Sequence, residues 1–246
     1  MGSKGGLKHL KRLPAPSYWP IHRKETEWVL KPSPGAHRSR SCLPLGIIIR
    51  DALGIGKTRR EVVRILSRGK VKVDGRTRYD ENYPVGLMDV IEFADANTAY
   101  RVLPIERQGL TTIRIPKDEA KFKLCKVMRK SIAPKGSVQF GVHDGRSITL
   151  TKESEPAPYE TNDTLRISVP TQRVLNHIKF EKGNLALVVA GRNAGKSGKI
   201  VDLQGGSATR PAMVTIEDKT GSKFDTIVDY TFVVGTDKAA IKLEAA

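Results

Sequence analysis

Along most of this chain, apolar and polar positions alternate with a period of two. A period near 3.6 governs only one stretch. It lies in "SCLPLGIIIRDALGIGKTRREVVRILSRGKVKVDGRTRYDENYPVGLMDVIEF", residues 41–93. There Leu43, Ile47, Ile48 and Leu53 suit a first helix that ends near Gly54. Thr58 followed by Glu61 predicts a capping box, in which each side chain satisfies a backbone donor at a helix start. The second helix places Val62, Ile65 and Leu66 on one face, with Arg60, Arg64 and Arg68 largely on the other. Gly69 stops it. "KVKVDGRTRY" then alternates Val71 and Val73 and turns at Asp74-Gly75, a hairpin signature. Val85, Met88, Val90 and Ile91 offer a returning strand. The expectation is a two-helix unit backed by a small sheet.

From about residue 94 the pattern is β alone. "YRVLPI", "TTIRIP", "FKLCKVM", "SVQFGV", "SITLTK", "DTLRISV" and "VLNHIKF" are short alternating runs divided by Gly, Pro, Asp or Asn. They predict a barrel or sandwich over 94–175, although alternation defines faces and not partners. Over 176–246, "LALVV", "GKIVDL", "AMVTIED" and "YTFVV" predict a small barrel of about five strands, and "DKAAIKLEAA" a short terminal helix. Residues 1–40 hold five prolines and no sustained period, which predicts an extended arm. Tyr18, Trp19 and Trp28 interrupt its charge. They either dock the arm on its own protein or let it order against RNA, with Lys8, Lys11, Arg12, Arg23 and Lys24 on phosphates. The fold class expected is therefore α+β multidomain, divided at 1–40, 41–93, 94–175 and 176–246.

Charge narrows the function. The 246 residues carry 43 Lys and Arg against 26 Asp and Glu, a net charge of +17. A field that positive favours polyanions, nucleic acid above all. The arm is its densest part, with nine basic residues against two acidic. Membrane binding is the weaker use of the charge. No apolar run approaches the roughly 20 residues of a spanning helix, and "MGSKGGLKHLKRL" lacks the apolar core of a signal peptide. Cys42 and Cys125 stand far apart without metal-spaced neighbours and are expected as small buried hydrophobes in a reducing cytoplasm. His9, His22, His37, His143 and His177 sit at neither zinc-ligand nor triad-like spacing. Asp144, Asp163 and Asp202 belong to no catalytic motif. No catalytic residue, metal site, cofactor or small-molecule substrate is expected.

One stretch invites the opposite conclusion. "LALVVAGRNAGKSGKI", Leu185 to Ile200, has the letters G-K-S after a strand-like run. A phosphate loop needs G-x-x-x-x-G-K-[ST] opening a helix, so that backbone amides wrap the phosphates. Gly195-Lys196-Ser197 would require glycine at 190, where Ala190 stands, and the following residues continue as a strand. A glycine-punctuated hairpin fits every position instead. Arg192, Asn193, Lys196 and Lys199 project from it, beside bare backbone that suits an RNA phosphate chain or splayed loop.

"GNLALVVAGRNAGKSGKI" resembles a KOW motif, the glycine-centred hairpin of small SH3-like barrels in ribosomal proteins and transcription factors. "GKTRREVVRILSRGKVKVDG" with "VGLMDVIEF" resembles the RNA-binding fold first described in bacterial ribosomal protein four. "HLKRLPAPSYWPIHRKETEWVLKPSPGAH" resembles the N-terminal segment of the archaeal and eukaryotic small-subunit ribosomal protein family of that number. The order of arm, RNA-binding fold, central β region and KOW barrel is similar to that family along essentially the whole chain. The resemblance implies a non-enzymatic constituent of the small ribosomal subunit, cytoplasmic and on the ribosome. Its implied partners are small-subunit rRNA and neighbouring small-subunit proteins. It also places Lys57, Thr58, Arg59, Arg60 and Arg64 where the helical fold meets RNA. An RNA-modifying enzyme, or a translation or transcription regulator built from the same modules, is the alternative.

Overall fold

The arm enters the fold through two aromatic side chains. In the computed structural model, which describes residues 9–22, 24–106, 109–132, 137–150, 159–207, 209–218 and 220–243, β1 (Leu10–Lys11) pairs antiparallel with β2 (Trp28–Val29). Between these strands Trp19 is buried and its Nε1–H donates to the Cys42 carbonyl at 3.0 Å. Tyr18 Oη donates to the carbonyls of Arg40 (3.0 Å) and Cys42 (3.1 Å). For Tyr18 and Trp19, docking on the protein is the reading that holds. Trp28 stays half exposed.

β3 (Cys42–Pro44) runs into α1 (Leu45–Ile47), which a π-helical turn continues over Ile48–Ala52. Leu43 therefore belongs to a strand and not to the first helix. Gly54 ends this helical stretch at φ 64°. Helix α2 (Arg59–Ser67) starts at the expected capping box. Thr58 Oγ1 accepts from Glu61 N at 3.3 Å, and the Glu61 carboxylate accepts from Thr58 N (3.3 Å) and Lys57 N (2.8 Å). Val62 and Leu66 are buried beneath it, and Gly69 at φ 70° terminates it. β4 (Val71–Val73) and β5 (Arg76–Thr77) form the expected hairpin, with Asp74 and Gly75 both at positive φ, as a primed turn requires. The returning segment splits in two. β6 (Pro84–Gly86) pairs with β3, and β7 (Val90–Phe93) pairs with β4. Met88 at φ 66° turns the chain between them.

All seven alternating runs after residue 94 are strands, but they divide between two sheets. β8 (Thr98–Ile105) and β9 (Gly109–Ile115) complete a first sheet in the order β5-β4-β7-β8-β9. The division expected at residues 93 and 94 thus falls within a sheet, between β7 and β8. After the short α3 (Lys117–Ala120) come β10 (Phe122–Ile132), β11 (Val138–Val142), β12 (Ser147–Leu150), β13 (Thr164–Ser168) and β14 (Val174–Ile178). They form an antiparallel sheet in the order β12-β11-β10-β13-β14. The last five strands are β15 (Leu185–Val188), β16 (Ser197–Gln204), β17 (Met213–Asp218), β18 (Lys223–Ile227) and β19 (Thr231–Gly235). Their order is β18-β17-β16-β15-β19. The chain is mostly β-sheet with few helices. Over 236–243 the expected terminal helix is absent. Ile241 is buried in a core with Phe232 and Val234, and Lys242 N donates to Glu119 Oε2 at 3.2 Å. These tertiary contacts override the local helix propensity of an alanine-rich segment.

Charged side chains also tie the sheets together. Lys123 on β10 is fully buried, and its ammonium meets Asp74 (2.9 Å), Asp144 (3.0 Å) and Asp89. Arg146 pairs with Asp74 (2.6 Å) and Asp144 (3.1 Å), while His37 Nε2 bonds Asp89 at 2.9 Å. One network thus joins the arm, the hairpin after α2 and the central sheet. Burial disfavours the Asp89 carboxylate, but Lys123 and His37 outweigh it and hold Asp89 below the usual carboxylate range. Farther along β10, Lys126 reaches the final sheet. Its ammonium donates to the carbonyls of Val228 (3.0 Å), Asp229 (3.2 Å) and Thr231 (2.8 Å), and burial pulls its pKa down to about 8.

Candidate nucleic-acid interface

Helix α2 presents its charge because its other face is committed to the core. Arg60, Arg64 and Arg68 are exposed at four-residue spacing, one above another along the helix. None of them pairs with a carboxylate among the described residues. Lys57, just before the cap, is likewise exposed and unpaired there. Glu61, the one acidic residue of the helix, has its carboxylate turned back to the capping amides. The helix therefore offers a row of guanidinium groups, unneutralised among the described residues, that runs from its first turn to its C-cap.

Two of the residues singled out on this helix have other work. Arg59 Nε donates to Glu81 Oε1 at 2.8 Å, and a second guanidinium nitrogen bonds the same oxygen. That hydrogen bonding holds the Arg59 pKa above its ordinary range. Glu81 is buried, so Arg59 compensates a charge the fold has desolvated. The Thr58 hydroxyl is spent on the cap.

The arm residues divide as well. Lys8 and Arg23 lie outside the described residues. Lys24 is exposed at φ 64°. Lys11 pairs with Glu27 at 2.9 Å, an exposed ion pair of small energetic weight, and its ammonium lies 5.0 Å from the centre of the Trp28 ring. Arg12 is half-buried and donates to the Ile21 carbonyl at 3.0 Å. It holds the arm's own loop.

In the glycine hairpin, Gly195 N donates to the Val188 carbonyl (2.8 Å) and Val188 N to the Lys196 carbonyl (2.9 Å), which closes a loop over 189–194. Its glycines are there for close approach. A Cβ on Gly195, at φ 90°, would strike the backbone of Ile105 and Glu106, and one on Gly198 would strike the Glu217 carbonyl. The loop is therefore seated on the end of β8. Arg192 and Lys199 are exposed, whereas Asn193 and Lys196 are half-buried. Lys196 lies over the Phe224 ring, 5.3 Å from its centre. The loop does not open a helix, since β16 follows it, so the geometry a nucleotide phosphate loop needs is missing.

His143, His177 and both cysteines take structural positions. His143 Nδ1 accepts from Lys126 N (3.2 Å) and its Nε2–H donates to the Leu87 carbonyl (3.1 Å), while burial pushes its pKa down to about 4. His177 bonds Asp163 at 2.6 Å. Cys42 and Cys125 are both buried and free. Among the described residues no group of His, Cys, Asp and Glu could hold a metal ion, and no helix is long and apolar enough to cross a membrane.

Comparison with known proteins agrees with this arrangement region by region. The family model described as "Ribosomal family S4e" matches residues 96–174, the "RS4NT (NUC023) domain" matches 4–40, and the "S4 domain" matches 47–91. The small ribosomal subunit protein eS4 of Staphylothermus marinus is 47% identical over 99% of this chain and 98% of its own length. The protein of that name from Methanocaldococcus jannaschii is 43% identical over 99% of this chain and 100% of its own. The crystal structure of the 30S ribosomal protein S4e from Thermoplasma acidophilum superposes with a TM-score of 0.68 at 34% identity, covering 81% of this chain and 97% of that one. With identity of this level sustained from the arm to the last sheet, the chain belongs to the eS4 family of small ribosomal subunit proteins.

Proposed function

We propose that the chain is a structural, non-catalytic constituent of the small ribosomal subunit, which binds and stabilises that subunit's rRNA. The observation that carries this reading is the row Arg60, Arg64 and Arg68, unpaired among the described residues, on a helix whose acidic residue is withdrawn into the cap. Each phosphate contact releases condensed counterions, so many individually weak contacts sum to a stable complex. Lys57 extends the row past the helix start. Thr58 serves it indirectly by fixing that start, and Arg59 contributes through its exposed outer edge while paired to Glu81.

Two further contact regions fit the same reading. The arm brings Lys8, Lys11, Arg23 and Lys24 to the RNA, and Arg12 shapes the segment that carries them. At the glycine hairpin, Arg192 and Lys199 reach phosphates directly, with Asn193 and Lys196 beside the bare backbone. In this reading residues 176–246 form an SH3-like KOW barrel. Residues 1–40 and 41–93 are its companion arm and RNA-binding domain, and 94–175 supply both the last two strands of that domain's sheet and the central β domain. Neighbouring small-subunit proteins would meet the remaining surfaces, in the cytoplasm where the subunit works.

The test is co-sedimentation of the tagged chain with small subunits on sucrose gradients. The reading expects the chain in the small-subunit peak at low salt and its release at high salt. Recovery only in ribosome-free fractions would sink it.

A further inference from the structure

Trp28 is the arm aromatic least committed to the fold, with the His9 ring set edge-on to it at 5.4 Å. Tyr18 and Trp19 are committed to backbone carbonyls, whereas Trp28 is 52% exposed. It borders a groove of about 450 Å³ between the arm and the first helices, whose wall includes His9, Arg50, Arg59 and Asn82. That volume lies in the roughly 300–1,000 Å³ range of pockets that hold small ligands.

The chemistry of the wall is selective. Arg50 pairs with Asp51 at 2.8 and 2.9 Å, and Arg59 pairs with Glu81, so both guanidinium groups have their charge matched. A groove built to gather phosphates would leave them unmatched. What these residues offer instead are flat polar faces beside an aromatic ring, which suit a planar base. The Asn82 side-chain amide has no partner among the described residues and carries both a donor and an acceptor toward a base edge. Charge for one phosphate lies just outside, where Lys11 stands 5.0 Å from the Trp28 ring in an exposed, exchangeable ion pair.

We propose that this groove receives a single unstacked nucleotide of the bound RNA. Its base stacks on Trp28, its edge meets Asn82, and its phosphate meets Lys11. The inference rests on the rRNA-binding reading above and adds a base-contacting pocket to what is otherwise a phosphate-contacting surface. It also explains why the arm spends two aromatics on docking. They fix the register of β1 and β2, and so the position of the third.

The experiment uses the full chain and transcribed small-subunit rRNA of Staphylothermus marinus in filter binding over a salt series. W28F, W28A and N82A are compared with the unaltered protein. Loss of one base–aromatic stack should weaken binding roughly tenfold in W28A while leaving the slope against salt unchanged, since no phosphate contact is lost. W28F should retain most of the affinity, and N82A should lose severalfold. Melting temperatures of all three should stay near that of the unaltered protein. If W28A binds as tightly as the unaltered chain, the inference falls and the rRNA-binding reading stands. An affinity loss matched by a fall in melting temperature would assign Trp28 to the arm's own fold and overturn the inference. Normal rRNA binding by W28A with exclusion from assembled subunits would place a protein side chain in the groove, with the same result. Failure of the unaltered chain to bind this rRNA at all would overturn both.

Discussion

Replacing Lys123 by Met removes the cation that Asp74, Asp89 and Asp144 share. The side chain is fully buried and Met nearly matches its volume, so the cavity contribution is small. What remains is electrostatic. Asp74 and Asp144 keep Arg146, and Asp89 keeps His37 together with the amide of Gly86 at 2.9 Å. Three carboxylates would then share two partners in a desolvated site. Removing one member of a buried ion pair costs about 3–5 kcal/mol, a large part of the roughly 5–15 kcal/mol by which domains are stable. The assay is urea unfolding at pH 7, followed by the emission of Trp19, which is buried in the first core. The pH dependence separates charge from packing. In the unaltered protein Asp89 and Asp144 titrate below the usual carboxylate range, so their stabilisation is present above the unfolded value and is lost as pH falls. In K123M the orphaned carboxylates take up protons more readily than in the unfolded chain, so the deficit should narrow between pH 7 and pH 4. Adding D89N should recover part of the loss at pH 7. A deficit under about 1 kcal/mol, or one that does not change with pH, would mean that Lys123 is not what holds the three carboxylates ionised.

Other consequences are as direct. T58A removes one half of the capping box and should cost about 1 kcal/mol, read from the thermal midpoint by circular dichroism. G195A forces a Cβ against the Glu106 backbone and should cost more than G183A, whose Cβ meets nothing within 4 Å at a similar φ of 92°; the difference should be about 1–3 kcal/mol. His143 should show a proton resonance titrating near pH 4. Because its folded pKa lies below the ordinary value, its neutral burial is favourable above about pH 6.5 and its contribution is lost as pH falls from there towards 4. A midpoint between 6 and 7 would contradict that. R59E should lower stability as well as RNA affinity, because it leaves the buried Glu81 facing a like charge, whereas R60E should spare the melting temperature.

Local features of this fold were legible in the sequence because local chemistry determines them. The Thr58–Glu61 box, the Gly69 stop and the Asp74-Gly75 turn each depend on residues within four positions of one another, and each stands where the pattern predicts. The alternating runs located every strand from β8 to β14 for the same reason. Partnership was not legible. That β8 and β9 extend the sheet of the helical unit depends on the pairing of Val90 with Arg101 and its neighbours, and alternation carries no such information. Nor did composition distinguish Arg59 and Arg12 from Arg60 and Arg64. Their partners, Glu81 and the Ile21 carbonyl, lie 22 and 9 residues away. The Lys123 network was hidden altogether, since its aspartates stand 49, 34 and 21 residues from the lysine. Four acids and bases scattered through β-rich sequence look like solvated charge until the fold gathers them.

On this reading Arg60 and Arg64 of α2, unpaired among the described residues, contact rRNA phosphates. The most direct test is the salt dependence of binding to small-subunit rRNA for the unaltered chain and for R60E/R64E. Each lost phosphate contact should flatten the slope of log K against log salt by roughly 0.7–0.9, so the double variant should be flatter by about 1.5. Its melting temperature should be nearly unchanged, because both side chains are exposed and unpaired among the described residues. An unchanged slope, or weaker binding explained by a lower melting temperature, would contradict the claim.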